Sequence, residues 1–230
     1  MLRDREDAGR RLAVRLARYS DDPSVCILAL PRGGVPVGYV MSLALRVPLD
    51  VFITRKLGAP GNPEYAIGAI AETGNVYFNP HAQEILDVLR ARPQALKTLI
   101  AQEEQEIARR RAAYRGERAL PSLGDRTVLL VDDGIATGAT FFASVEALKH
   151  QRPRRLVAAV PVGPADTLRL LRSQVDELVV LETPEPFWAV GNHYEDFPQV
   201  SDEQVRHYLA KAAEALRISA EGPAVAQGQP

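Results

Sequence analysis

A doubly wound α/β fold on a mainly parallel sheet is the architecture this chain predicts, and three observations predict it. Two fully apolar runs, Val25-Cys26-Ile27-Leu28-Ala29-Leu30 and Val128-Leu129-Leu130-Val131, read as strands buried on both faces. Each run ends at a glycine-bearing turn with charged residues, and each turn leads into a helical stretch. Strand and helix patterns then keep alternating, as a parallel sheet with crossover helices requires.

Taken in order, Ala8, Leu12, Leu16 and Tyr19 recur at helical spacing, so an amphipathic helix is expected over 4–19. Arg10, Arg11, Arg15 and Arg18 form its solvated face. The strand over 25–30 is followed by Pro31-Arg32-Gly33-Gly34 and a helix over 35–45. A strand over 48–54 ends at Arg55-Lys56. The stretch 57–65, Leu-Gly-Ala-Pro-Gly-Asn-Pro-Glu-Tyr, is so dense in Gly and Pro that an irregular mobile loop is expected. Strands over 66–72 and 76–79 join through Thr73-Gly74-Asn75 as a hairpin. Helices are expected over 80–90 and 93–115, the second closed by Gly116. Arg109, Arg110 and Arg111 lie just after Glu103, Glu104 and Glu106, which makes them a solvated, ion-paired face. A helix over 141–150, a strand over 155–160, a helix over 165–173, a strand over 177–181 and a helix over 202–216 complete the pattern. The chain reads as one domain over 1–218, with an aperiodic aromatic stretch over 183–201 and a disordered tail over 219–230.

Composition narrows the function classes. The 230 residues carry 28 Lys plus Arg against 29 Asp plus Glu, a net charge of -1. That balance supplies no global attraction to nucleic acid or to an anionic membrane. No apolar run approaches the ~20 residues that span a bilayer. The first 18 residues mix both charges and have no apolar core, so neither a leader nor a transit peptide is expected. The single cysteine, Cys26, lies inside a strand and cannot form an internal disulfide, which fits a cytoplasmic protein. His81, His150, His193 and His207 are scattered without metal-ligand spacing.

The chemistry concentrates at the end of the 128–131 strand. Asp132 and Asp133 can accept hydrogen bonds from a diol. Gly134, Ile135, Ala136, Thr137, Gly138, Ala139 and Thr140 form a small-residue turn that opens a helix, where backbone N–H groups and the helix dipole favour an anion. A diol and a phosphate monoester at this separation describe a ribose 5′-phosphate. No Lys follows Gly138, so this is not a Walker P-loop, and there is no dinucleotide G-x-G-x-x-G.

Strand, paired acids and Thr-Gly-x-Thr together resemble the phosphoribosyl diphosphate (PRPP) signature of type I phosphoribosyltransferases. Pro31 to Val37 and Arg55 to Glu64 resemble a poorly characterised bacterial branch of that family. The resemblance implies a type I phosphoribosyltransferase-like fold and transfer of ribose 5-phosphate from PRPP to an unidentified small-molecule acceptor, a nucleobase by preference, with pyrophosphate released. It implies that Asp132, Asp133, Arg55 and Lys56 are catalytic, and that Arg32, Gly33 and Gly34 bind pyrophosphate. It further implies that 134–140 binds the 5′-phosphate and that 57–65 closes as a lid. Magnesium is implied as a substrate-bound ion with no dedicated protein cluster. The family's hood corresponds to 183–201, where Phe187 or Trp188 can stack on a base. A homodimer is compatible with the resemblance. The alternative from another class is a non-catalytic PRPP or nucleotide sensor, which has no need of Arg32, Arg55, Lys56 or a lid. A PRPP-forming kinase would need a second nucleotide motif, which the chain lacks.

Overall fold

The computed structural model describes residues 1–221. Helix α1 (Arg5–Arg15) is capped by the Asp4 carboxylate, which accepts from Asp7 N–H, and runs on through a short 3-10 turn. Then follow β1 (Val25–Ala29), α2 (Gly34–Leu45) and the short β2 (Leu49–Val51). An antiparallel excursion comes next, with β3 (Thr54–Ala59), β4 (Asn62–Ala71) and β5 (Val76–Phe78). Helices α3 (Gln83–Arg90) and α4 (Pro93–Arg115) lead back to the main sheet. The second half is β6 (Thr127–Val131), α5 (Ala139–His150), β7 (Arg155–Val162), α6 (Ala165–Arg172), β8 (Glu177–Glu182) and α7 (Asp202–Glu221).

The main sheet has the order β2-β1-β6-β7-β8 and every pairing is parallel. Its central strands bury both faces, and the two-residue period sorts them cleanly. Val25, Ile27, Leu129, Val131, Val157 and Ala159 pack with Leu12, Leu16 and Met41 of the α1 and α2 layer. Cys26, Leu28, Val128, Leu130, Ala158 and Val160 pack with Phe141, Val145 and Leu148 of α5 and with Leu168 and Leu171 of α6. Each large side chain so buried contributes about 1.5–3 kcal/mol. After β1 the chain moves outward to β2, whereas after β6 it moves outward the other way to β7 and β8. The topological switch point therefore lies between β1 and β6, where open α/β sheets bind ligands.

Three sequence expectations need correction. The single strand expected over 48–54 is broken. It ends at Val51, and the chain leaves the parallel sheet through Phe52 and Ile53 before β3 begins at Thr54. The segment 57–65 is not irregular either, because most of it is paired in the β3–β4 hairpin, with Pro60 and Gly61 as its two-residue turn. The Gly and Pro density has a local cause. A Cβ at Gly58 would lie 2.5 Å from the Pro63 carbonyl oxygen, and the register shifts on both sides of Gly58. Glycine here lets the backbones touch at an irregular step that also tolerates proline. The helix expected over 202–216 runs on to Glu221, so the first three residues of the expected tail are helical. The rest of that tail lies outside the described residues.

The junction of the two sheets is held by a buried ion pair. Arg115, at the end of α4, donates to both Glu72 carboxylate oxygens at 2.8 and 3.0 Å and to the Val51 carbonyl at 2.7 Å. Glu72 also accepts from Ile53 N–H at 2.8 Å. The Arg115 and Glu72 side chains are 0% and 3% exposed. Removing one partner of such a pair strands a buried charge. Arg115→Met is therefore expected to lower unfolding free energy by about 3–5 kcal/mol. Arg115→Met with Glu72→Leu should recover most of that loss in denaturant titration.

Candidate functional site

The β6–α5 turn starts with its two acids crowded together. Asp132 Oδ1 accepts from Asp133 N–H at 2.8 Å, which fixes the first carboxylate against the backbone. Ile135 anchors the turn: its N–H donates to the Val162 carbonyl at 2.9 Å and its side chain is buried in the core. Ala136 and Thr137 are exposed, and Gly138 caps α5 at φ +78°, a left-handed conformation that favours glycine. No side chain caps this helix, so its first-turn N–H groups remain available to an external anion. Asp132, residues 134–141 and Val190 line a hollow of about 210 Å³.

The β1–α2 turn lies directly against these acids. A Cβ at Gly33 would overlap the Asp133 carboxylate, and one at Gly34 would sit 2.7 Å from the Val131 carbonyl oxygen and 2.9 Å from Asp132 Cα. Both glycines are thus required by the protein's own packing across the switch point. The Pro31–Arg32 peptide bond is cis. Arg32 points toward the start of α7, 3.7 Å from Asp202, a carboxylate that also accepts from Arg109 and Tyr114.

The Asp133 carboxylate lies against Gly33 and is not among the groups that line the hollow. Its Oδ2 accepts from Arg5 Nε at 2.8 Å, and its backbone carbonyl accepts from the Tyr194 hydroxyl at 2.6 Å. Arg5 and Tyr194 are buried, and neither stands out in the sequence. Arg5 is one of several arginines in a charged helix, and Tyr194 lies in an aperiodic stretch. Burial, with the neighbouring Asp133 charge, pushes the Asp132 carboxyl well above the ordinary carboxylate range. Burial pushes Asp133 up as well, while Arg5 pulls against it. Burial also raises the Tyr194 hydroxyl, which keeps its proton.

Arg55 and Lys56 are adjacent residues in β3, so their side chains leave opposite faces. On the Arg55 face lies α4, where Glu103 accepts from Arg55 Nε at 2.7 Å. On the other face Thr54 meets Ser144 of α5 at 2.8 Å, and Lys56 shares that side with a partner of its own. The 183–201 segment packs onto the turn through Val190, whose Cγ1 would lie 2.5 Å from a Cβ at Gly134. Phe187 stacks on His193 with centroids 5.1 Å apart, whereas Trp188 is 79% exposed. A larger hollow of about 590 Å³ lies along α5 and α6. It shares Thr137 and Ala139 with the smaller one but contains neither acid.

No group of three or more His, Cys, Asp or Glu positioned for a metal occurs among the described residues. A magnesium ion taking one or two carboxylates and otherwise substrate oxygens and waters needs no such group. Asp132, with one oxygen committed to backbone and its residue lining the hollow, fits that role. Burial lifts the Cys26 thiol to about 11, so it stays protonated at neutral pH. No helix among the described residues is long and apolar enough to cross a membrane.

Comparison with known proteins agrees with this geometry. The family model described as Phosphoribosyl transferase domain matches residues 2–195. Two Mycobacterium tuberculosis proteins with phosphoribosyl transferase in their names are each 42% identical over 224 residues, covering 94% of this chain and 49% of theirs. The chain thus spans about half the length of these relatives. The crystal structure of a Thermus thermophilus protein superposes with a TM-score of 0.75 at 38% identity, over 91% of this chain and 98% of that one.

The raised Asp132 carboxyl predicts a pH dependence. A group that binds its proton more tightly folded than unfolded costs stability as pH climbs from its ordinary value through the raised one. Asp132→Asn keeps the acceptor for Asp133 N–H and removes the charge. The ligand-free variant should melt a few degrees above wild type at pH 7, at ~2–4 °C per kcal/mol for a chain of this size. The gap should close toward pH 4. A lower melting temperature at pH 7 would contradict the assignment.

Proposed function

Because the chain belongs to the phosphoribosyl transferase domain family, we propose that it transfers ribose 5-phosphate from PRPP to a nitrogen of a small-molecule acceptor, a nucleobase by preference, and releases pyrophosphate. One observation carries the proposal. A carboxylate crowded by a second one lines the same hollow as an uncapped helix N-terminus, at the switch point of a parallel sheet. That hollow suits a ligand with an anion at one end and hydroxyl donors at the other.

In the proposed reaction the bond between the anomeric carbon and pyrophosphate breaks, and the electron pair leaves with pyrophosphate. The acceptor nitrogen's lone pair forms the new bond. Positive charge develops on the anomeric carbon and ring oxygen. Asp132 accepts from a ribose hydroxyl and sets negative charge beside that developing cation. Asp133, outside that hollow and held by Arg5, adds its charge behind Asp132. The 5′-phosphate sits on the N–H groups that open α5, with Thr137 and Thr140 hydroxyls as further donors. Arg32 meets the pyrophosphate from the β1–α2 turn. As the lid closes, the hairpin brings Lys56 or Arg55, which leave opposite faces, to the pyrophosphate as a further cation, and Arg55 must first release Glu103. Magnesium, when bound, neutralises part of the pyrophosphate charge. A cytoplasmic setting supplies these substrates.

The test is pyrophosphate release from purified protein given PRPP, magnesium and a panel of bases. Wild type should release pyrophosphate with at least one acceptor. One preorganised electrostatic partner of this kind is worth ~2.7–4 kcal/mol, about 10²–10³ in rate. Asp132→Asn with Asp133→Asn should therefore fall to background while keeping the wild-type far-UV circular dichroism. Unchanged release in that double variant would end the proposal.

A further inference from the structure

Arg5 is a buried guanidinium with three engagements on one small region. Its Nε donates to Asp133 Oδ2 at 2.8 Å, its Nη1 donates to the Pro198 carbonyl at 2.7 Å, and its Cζ lies 3.8 Å from the centroid of the Phe197 ring. Phe197 in turn packs on Tyr194 with centroids 4.9 Å apart, and Tyr194 donates to the Asp133 carbonyl. The contacts form a closed loop: acid, guanidinium, hood ring, hood hydroxyl, and back to the acid. The backbone closes it again. Leu2 N–H donates to the His193 carbonyl, Glu195 N–H to the Leu2 carbonyl, and Asp196 N–H to the Arg3 carbonyl. The segment leading into α1 thus runs beside the hood as a parallel partner.

We propose that Arg5 is a positioning residue that clamps the 183–201 hood onto Asp133, so that α1 and its leading segment complete the site. The inference rests on the proposed function for its ligand, though the clamp itself is present without one. Three features set it apart from an ordinary buried ion pair. Asp133 is pinned at both carboxylate and carbonyl, whereas Asp132 is pinned only to backbone. The neighbouring Asp132 carboxylate repels Asp133, and the guanidinium on Asp133 Oδ2 offsets that repulsion. Finally, the same guanidinium that neutralises the acid also grips the hood. A guanidinium's planar fork holds both acceptors in fixed directions while its flat face lies over Phe197, a geometry that an ammonium does not impose.

Hydrogen exchange on the ligand-free full chain tests the clamp without substrate. Arg5→Met should speed exchange of the Tyr194, Glu195 and Asp196 amides at least tenfold and change the emission of Trp188, the sole tryptophan. Arg5→Lys keeps the charge but not the fork. It should speed exchange over 194–198 to a smaller degree. The second arm measures PRPP affinity at pH 7 with magnesium present. Arg5→Met should weaken it at least tenfold and Arg5→Lys by less. Wild-type exchange rates in Arg5→Met would overturn the clamp, and wild-type PRPP affinity in that variant would overturn the positioning role. Should Arg5→Met fail to fold, unchanged exchange and affinity in Arg5→Lys would overturn both. If wild type binds no PRPP, the proposed function falls while exchange still decides the clamp.

Discussion

Two chain turns pressed together at the end of a parallel sheet set the conditions for everything else in this protein. The backbone of Gly33 and Gly34 occupies space that any side chain would take from Asp132 and Asp133. This approach follows from the strand order, because β1 and β6 are neighbours and their outgoing turns emerge side by side. Both acids are thereby crowded and partly stripped of water, which is unfavourable for two like charges. The surroundings answer that cost group by group. Asp132 receives a backbone N–H, Asp133 receives a guanidinium, and the Asp133 carbonyl receives a phenol. Each partner comes from a different part of the chain, so the acid pair ties the first helix, the switch point and the hood into one unit.

The hairpin sheet is attached by different physics. Arg115 and Glu72 form its hinge in a fully buried setting, and Thr54 meets Ser144 across the α5 face. Beyond that anchored base, β3 and β4 are held by antiparallel pairing and by Leu57, Ala59, Ile67 and Ile70, buried in one cluster with Leu86 and Leu89 of α3 and Ile107 and Tyr114 of α4. Arg55 and Lys56 sit near the base on opposite faces, so hairpin motion would not carry both toward one ligand equally. The Arg55–Glu103 ion pair, 31% and 19% exposed, must open before Arg55 can meet a polyanion.

Much of this is legible in the sequence wherever periodicity or composition acts locally. The fully apolar runs of β1 and β6 and the amphipathic α4 leave little choice, and α4 spans 93–115 as its pattern and Gly116 require. The signature residues are legible because small residues and paired acids at a strand end have few other uses. The errors arise where meaning depends on a distant partner. Gly58 and Pro63 look like loop residues until one faces the other across a hairpin. Val51 looks like mid-strand until Glu72, nineteen residues past Ile53, takes the Ile53 N–H. Arg5 meets Asp133 across 128 residues of chain, and nothing in its own neighbourhood distinguishes it from Arg10 or Arg11. Gly33 and Gly34 suggest close approach on sound grounds, but the body approached is the protein's own acid pair.

The ligand-free site holds two opposed electrostatic demands a few residues apart. The open end of α5 offers unpaired donors and the positive end of a dipole, which favours an anion. The acid pair beside it resists further negative charge and would be relieved by donors or a cation. A free phosphate satisfies only the first demand, and a neutral sugar only the second. A sugar phosphate satisfies both, and one passing through a cationic state at its anomeric carbon satisfies the second more fully than it does at rest. Tighter binding of the reacting state than of the resting one is what accelerates a reaction. The same crowding that weakens the empty fold is therefore the feature best suited to the proposed chemistry, and Arg5 limits it by compensating one acid and leaving the other open to the hollow.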